Sequence, residues 1–166
     1  MTPDQAVARA HSACGNGAKY GLGAGGMNPE RAVPWNDHMQ CDCSGFVMWA
    51  LGLSRRQGGI WYDTTRVKLD AIDGGALFRA VEWKAAQPGD LLVYGDHRDH
   101  DGVERQGHVA MVSLVKEEGP VLMVHCSLGN WTRHSDAIRE DGVGLFLNHP
   151  DAVVARCLIF EATQPA

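Results

Sequence analysis

The chain changes texture at Pro88-Gly89, and that change constrains its fold more than any other feature. Beyond it, short runs rich in β-branched and aliphatic residues alternate with turn signals, the pattern of strands. Asp90–Tyr94, Val109–Val115, Val121–Val124, Val143–Leu147 and Val153–Phe160 are the predicted strands. Lys116-Glu117-Glu118-Gly119-Pro120 reads as a reversal that sets the strands carrying His108 and His125 side by side. Upstream the texture is helical. Thr2-Pro3-Asp4-Gln5 combines a cap, a proline at the first helical position and a glutamine three after the cap, which predicts a helix over 3–13. A second helix is predicted from Cys43 to Leu53, ending near Gly52, and a third over Thr64–Ile72 before Gly74-Gly75. Helices first and antiparallel strands afterwards describe an α+β domain. Six glycines between Gly15 and Gly26 suit neither helix nor strand and predict a loop crossing the surface or lining a cleft.

At 166 residues and 45% hydrophobic content, the chain is sized for one domain over 1–166. Its net charge of −5 is interspersed, with no basic run to attract nucleic acid or an anionic membrane. No apolar stretch approaches the roughly 18 residues of a membrane span, and the N-terminus lacks a signal-peptide pattern. The expectation is a cytoplasmic enzyme, a delivered effector or a phage lysis protein. Five cysteines are an odd number, so at least one thiol stays free; a Cys14–Cys157 bridge competes with two buried, reduced thiols.

Cys43 sits where polar loop residues meet the second helical stretch. Unpaired amides and the macrodipole in the first turn of a helix favour a thiolate, the form that attacks a carbonyl. A histidine that takes the thiol proton and a polar group that orients this histidine complete such a site. His108 and His125, each at the edge of a strand-like run, can fill those roles. Cys41-x-Cys43 is too closely spaced for a structural zinc site, and His97-Arg98-Asp99-His100-Asp101 reads as a solvated loop, so no metal is expected. Trp61, after Gly58-Gly59, is the candidate for a cleft wall.

Four blocks in order carry a resemblance. Asp42-Cys43-Ser44-Gly45-Phe46-Val47, Gln87 to Tyr94, Gly107-His108-Val109-Ala110-Met111-Val112 and Val124-His125-Cys126-Ser127 resemble the signatures of the NlpC-type cell-wall cysteine peptidases. The resemblance implies a papain-like α+β fold with the nucleophile at a helix N-terminus packed on an antiparallel sheet. It also implies hydrolysis of peptidoglycan stem peptides, typically at D-γ-glutamyl-diaminopimelate, through a thioester. Cys43 would be the nucleophile, His108 the base and His125 the residue that orients it. Asp42 and Ser44 would help to hold a free stem amine, and Tyr20, in the glycine-rich segment, would line the same site. The expected partner is a stem peptide or muropeptide, bound by a monomer without a cofactor. Alternatives are an N-acetylmuramoyl-L-alanine amidase, a delivered toxin-type peptidoglycan amidase and, in another class, a non-catalytic peptidoglycan-binding module.

Overall fold

Side-chain caps decide where the principal helices start. In the computed structural model, which describes residues 1–160, α1 (Pro3–Ser12) opens on a reciprocal cap: Gln5 N–H donates to Thr2 Oγ1, and Thr2 N–H to Gln5 Oε1. Residues 161–166, the end of the expected domain, lie outside the described residues. A short parallel pair, β1 (Lys19–Tyr20) with β2 (Gln40–Cys41), leads into α2 (Cys43–Ala50), capped by Asp42 through Gly45 N–H at 2.8 Å. The ribbon β3 (Arg56–Gln57) and β4 (Ile60–Trp61) precedes α3 (Thr64–Ile72), which Asp63 caps. There follow β5 (Phe78–Val81), β6 (Leu91–Tyr94), the small ribbon β7 (His97–Arg98) and β8 (Glu104–Arg105), and the long hairpin β9 (His108–Lys116) and β10 (Gly119–Cys126). The chain continues through α4 (Leu128–His134), β11 (Ile138–Gly142), α5 (Gly144–Leu147) and β12 (Val153–Cys157).

Six strands form one antiparallel sheet in the order β11-β10-β9-β6-β12-β5. Alternation along its strands buries both faces. Leu91, Val93, Val109, Met111 and Val124 join the core built around α2, whereas Leu92, Ala110, Val112 and Met123 pack with Phe146 and Val154. Every residue of α2 is buried, and the helix lies against β9 and β10. The nucleophile candidate at its start is therefore rigidly supported. This is the expected α+β architecture, and the hairpin joins the two histidine strands as the Lys116–Pro120 reversal predicted.

Two sequence blocks explain their own glycines. A Cβ at Gly45 would lie 2.6 Å from Ala24 O and 2.9 Å from the carbonyl carbon of Gly25, so the glycine-rich segment rests backbone to backbone on the first turn of α2. Neither side can yield cheaply; a side chain there costs about 1–3 kcal/mol. In the Gln87–Tyr94 block, Gly89 turns at φ +92, and buried Asp90 accepts from Arg156 Nε at 3.0 Å and Nη2 at 2.8 Å. That bidentate pair ties the start of β6 to β12. The block is structural.

One predicted strand is not a strand. Val143–Leu147 curls into the single helical turn α5, while the edge strand is Ile138–Gly142, just before it. Val143 and Phe146, three residues apart, turn inward and Leu145 and Leu147 outward, a helical rather than alternating division. All five cysteines are free thiols, so Cys14 and Cys157 are not bridged. No helix among the described residues is long and apolar enough to cross a membrane.

Candidate active site

Cys43 is the first residue of α2 and borders a cleft of about 220 Å³ with Tyr20, Asp42, Ser44, Arg55 and Trp61. His108 opens β9 opposite Tyr94 and borders a second cleft of about 300 Å³ with His125, Ser127 and Arg133. Tyr20, Gln106 and Gly107 line both, so the two form one groove with the thiol on one side and the imidazoles on the other. The Cys43 thiol lies within reach of the backbone N–H of Val109, the residue after His108. Helix start and strand start thus meet at the groove floor.

The histidines form a line that continues beyond the residues read from sequence. His108 Nε2 lies 2.7 Å from His125 Nδ1, and His125 Nε2 lies 3.0 Å from Asp141 Oδ2. Buried Asn130, from α4, donates to the same carboxylate oxygen at 3.0 Å. The two rings meet edge to face, 5.0 Å apart at 81°, and Phe146 of α5 stacks on His108 at 5.8 Å and 25°. The imidazole of His108 is therefore held by two neighbouring rings and a hydrogen bond at Nε2. Its Nδ1 remains as the second ring nitrogen.

Electrostatics set the resting charge. Burial, reinforced by the charge of Asp42, pushes the Cys43 thiol up to about 12, against the lowering effect of the Val109 and Ser44 N–H groups. Burial thus opposes the thiolate that the helix start favours, and desolvation outweighs the two backbone hydrogen bonds in the resting site. Burial and repulsion from His125 bring His108 down to about 3. For His125, burial again lowers the pKa, partly opposed by Asp141. Burial alone would raise Asp141, but the hydrogen bonds of His125 and Asn130 hold it below the usual carboxylate value. Thiol and imidazole are both neutral at rest, so the chemistry this site can perform is attack coupled to proton transfer.

The residues expected to bind substrate are gathered at the thiol side. Tyr20 is half-buried, and burial with the nearby Cys43 and Asp42 raises its phenol, which stays protonated. Trp61 is 41% exposed and forms a wall, with the guanidinium of Arg55 4.5 Å above its ring. Asp42 and Ser44 are buried and already partnered. Asp42 Oδ1 accepts from Gly45 N–H at 2.8 Å and Ser44 Oγ at 3.3 Å, and Oδ2 accepts from Gly23 N–H and from Arg55 Nη2, both at 2.7 Å. Arg55 Nη2 also donates to Ser44 Oγ at 2.6 Å. The carboxylate is thus neutralised from within by an arginine that sequence reasoning missed. Asn130, Asp141 and Phe146 were missed as well. Cys41 and Cys126 are fully buried in the core, and the His97–Asp101 segment lies in the outer β7–β8 ribbon. Within that segment Asp99, His100 and Asp101 bring ligand atoms close enough to hold an ion, on a mostly exposed loop.

No curated protein matches the chain by sequence. The crystal structure of the P60 domain from M. avium subspecies paratuberculosis antigen MAP1204 is similar at 20% identity and a TM-score of 0.49, covering 93% of this chain and 96% of that one. The family model of the CHAP domain matches residues 33–130, which is more than half of the chain and includes Cys43, His108 and His125. The chain therefore belongs to the CHAP-domain family, a family of peptidoglycan-hydrolysing cysteine peptidases and amidases in keeping with the NlpC-type resemblance.

Proposed function

We propose that the chain cleaves an amide bond in peptidoglycan stem peptides through a thioester on Cys43, with D-γ-glutamyl-diaminopimelate as the scissile bond. The observation that carries this reading is the hydrogen-bonded line from His125 to His108 beside a thiol at a helix start. The Cys43 sulfur attacks the carbonyl carbon while its proton passes to His108 Nδ1, and the first-turn amide of Cys43 supports the developing oxyanion. His108 returns the proton to the leaving nitrogen, the C–N bond breaks and the amine departs. Water then attacks the thioester, His108 takes its proton and gives it to the departing sulfur, and the stem leaves as a carboxylic acid. His125 orients His108 throughout. Tyr20 and Trp61 form the walls that hold the stem, and Asp42 and Ser44 serve it through Arg55.

One observation favours a second reading, the muramoyl–alanine amidase. Asp42 is occupied by Gly23, Gly45, Ser44 and Arg55, so it offers a free stem amine no unpartnered carboxylate. A site of this kind has no demand for a stem already released from the glycan. Digesting muropeptides with intact muramic acid alongside free tripeptides, and identifying the products by mass spectrometry, separates the readings. γ-Glutamyl cleavage supports the endopeptidase and release of the whole stem the amidase; no cleavage of either substrate would overturn both.

The resting charges give a pH expectation. The competent form, neutral thiol with neutral imidazole, is lost only toward about 3 on the acid side and about 12 on the alkaline side. A profile of kcat/KM is expected to be flat from roughly pH 5 to 9, and a limb between pH 6 and 7 assigned to His108 would contradict it. Stability has the same acid sign. The folded value of His108 lies below the unfolded one, so stability is complete above about 6.5 and declines as pH falls toward about 3.

A further inference from the structure

We propose that Asp141 is the positioning residue that decides which nitrogen of His108 acts as the base, an assignment that rests on reading His108 as the proton acceptor. A carboxylate only accepts hydrogen bonds, so the 3.0 Å contact at Asp141 Oδ2 places the proton of neutral His125 on Nε2. His125 Nδ1 is then a lone pair and can only accept across the 2.7 Å contact, which places the proton of His108 on Nε2. The remaining nitrogen, His108 Nδ1, is left as a lone pair free to take the thiol proton. Reverse the first step and the whole sequence inverts: with the His125 proton on Nδ1, His108 accepts at Nε2, carries its proton on Nδ1 and cannot serve as a base there.

The fold aims Asp141 at this task. It lies on β11, opposite Met123 in the register and diagonal to His125, so the two side chains share a face of the sheet. Asn130 Nδ2 lies 3.0 Å from Oδ2 and 3.1 Å from His125 Nε2; an amide nitrogen only donates, so with the His125 proton on Nε2 its hydrogen goes to the carboxylate, where it helps to fix the Asp141 rotamer, and without that carboxylate it would favour the opposite tautomer of His125. Arg133 and His134 from α4 line the same pocket; Arg133 bears on His125 electrostatically, and Arg139 and Glu140 flank Asp141 on β11. Glu140 is engaged with His11 at 2.8 Å, which leaves Asp141 as the carboxylate paired with His125. Asp141 also lies outside residues 33–130, so it is a feature of this chain beyond the matched family segment.

The test reads the tautomer directly. Long-range proton–nitrogen NMR of the histidine rings at neutral pH is expected to show His108 and His125 both protonated at Nε2, and Asp141→Ala to convert His125 to a mixture. In the same variant kcat is expected to fall on the order of 10- to 100-fold with KM little changed. That loss is smaller than the roughly 10⁴-fold cost of neutralising a serine-protease triad aspartate, because Asp141 is half-exposed and one ring further from the base. Asp141→Asn, which keeps an accepting oxygen, is expected to fall between the two and guards against a folding artefact in the alanine variant. A wild-type His125 protonated at Nδ1, or Asp141→Ala with unchanged ring spectra and unchanged kcat, would overturn the proposal. If the wild type shows the Nε2 tautomers yet cleaves no muropeptide, the proposed activity fails while the assignment of Asp141 stands.

Discussion

Cys43→Ala is expected to lose cleavage of muropeptides by on the order of 10⁴-fold or more, while its melting curve stays within a few degrees of the wild type. The reason for the first effect is that no other group at the groove floor can form the acyl intermediate: Cys41 and Cys126 are fully buried, and Ser44 is committed to Asp42 and Arg55. The reason for the second is that alanine suits the first position of α2 and keeps the backbone and the Asp42 cap. The lost sulfur is a small buried volume, worth about 1 kcal/mol. Cys41→Ala is the informative companion, since it removes a core thiol two residues away and should retain activity. Activity lost equally in both variants, with intact folds, would reassign the nucleophile.

Arg55→Ala is expected to be the most damaging single change to stability. The guanidinium and Asp42 are each 2% exposed and paired at 2.7 Å, so deleting the arginine leaves a buried carboxylate without its counter-charge. Breaking such a pair from one side costs about 3–5 kcal/mol, which for a domain of this size lowers Tm by roughly 6–20 °C. The same arginine bonds Ala24 O and Ser44 Oγ and stacks on Trp61, so its loss frees the glycine-rich segment and one wall of the groove together. Asp42→Asn is the milder change, because an amide oxygen still accepts from Gly45 or Gly23. The double variant should cost less than the sum of the two. Additive losses in a double-mutant cycle by urea unfolding would show that the two side chains act independently and that the pair is not what holds this corner.

The parts of this molecule that were legible in the sequence are those fixed by local chemistry. The helix over Thr64–Ile72 is bounded as predicted, because Asp63 caps its start and Gly74-Gly75 lies just beyond its end. The hairpin of β9 and β10 was legible because a polar reversal separates two apolar runs, and it carries both histidines to one groove. What was hidden is what tertiary neighbours decide. Ile138-Arg139-Glu140-Asp141-Gly142 reads as a polar connection, yet it pairs along β10 as an edge strand. The apolar run that follows it looked like the strand because local composition cannot register that Phe146 is drawn onto the His108 ring. The clue that could have found Asp141 is the placement of Arg139 and Asp141 two apart beside an apolar strand end, which puts both on one face. No comparable signal pointed to Arg55, thirteen residues from Asp42 and joined to it only by the fold. Cys43 stands at the first position of its helix as the sequence predicts, while the burial that opposes its ionisation is set by tertiary neighbours that local sequence does not register.

Acylation of Cys43 by a peptidoglycan stem can be caught by rapid quenching of the wild-type protein with muropeptide, followed by intact-mass analysis and peptide mapping. The expected result is a transient adduct with the mass of the acyl fragment, mapped to Cys43, released by hydroxylamine and absent from Cys43→Ala. Muropeptide turnover without any adduct at Cys43, or continued turnover by Cys43→Ala, would contradict it.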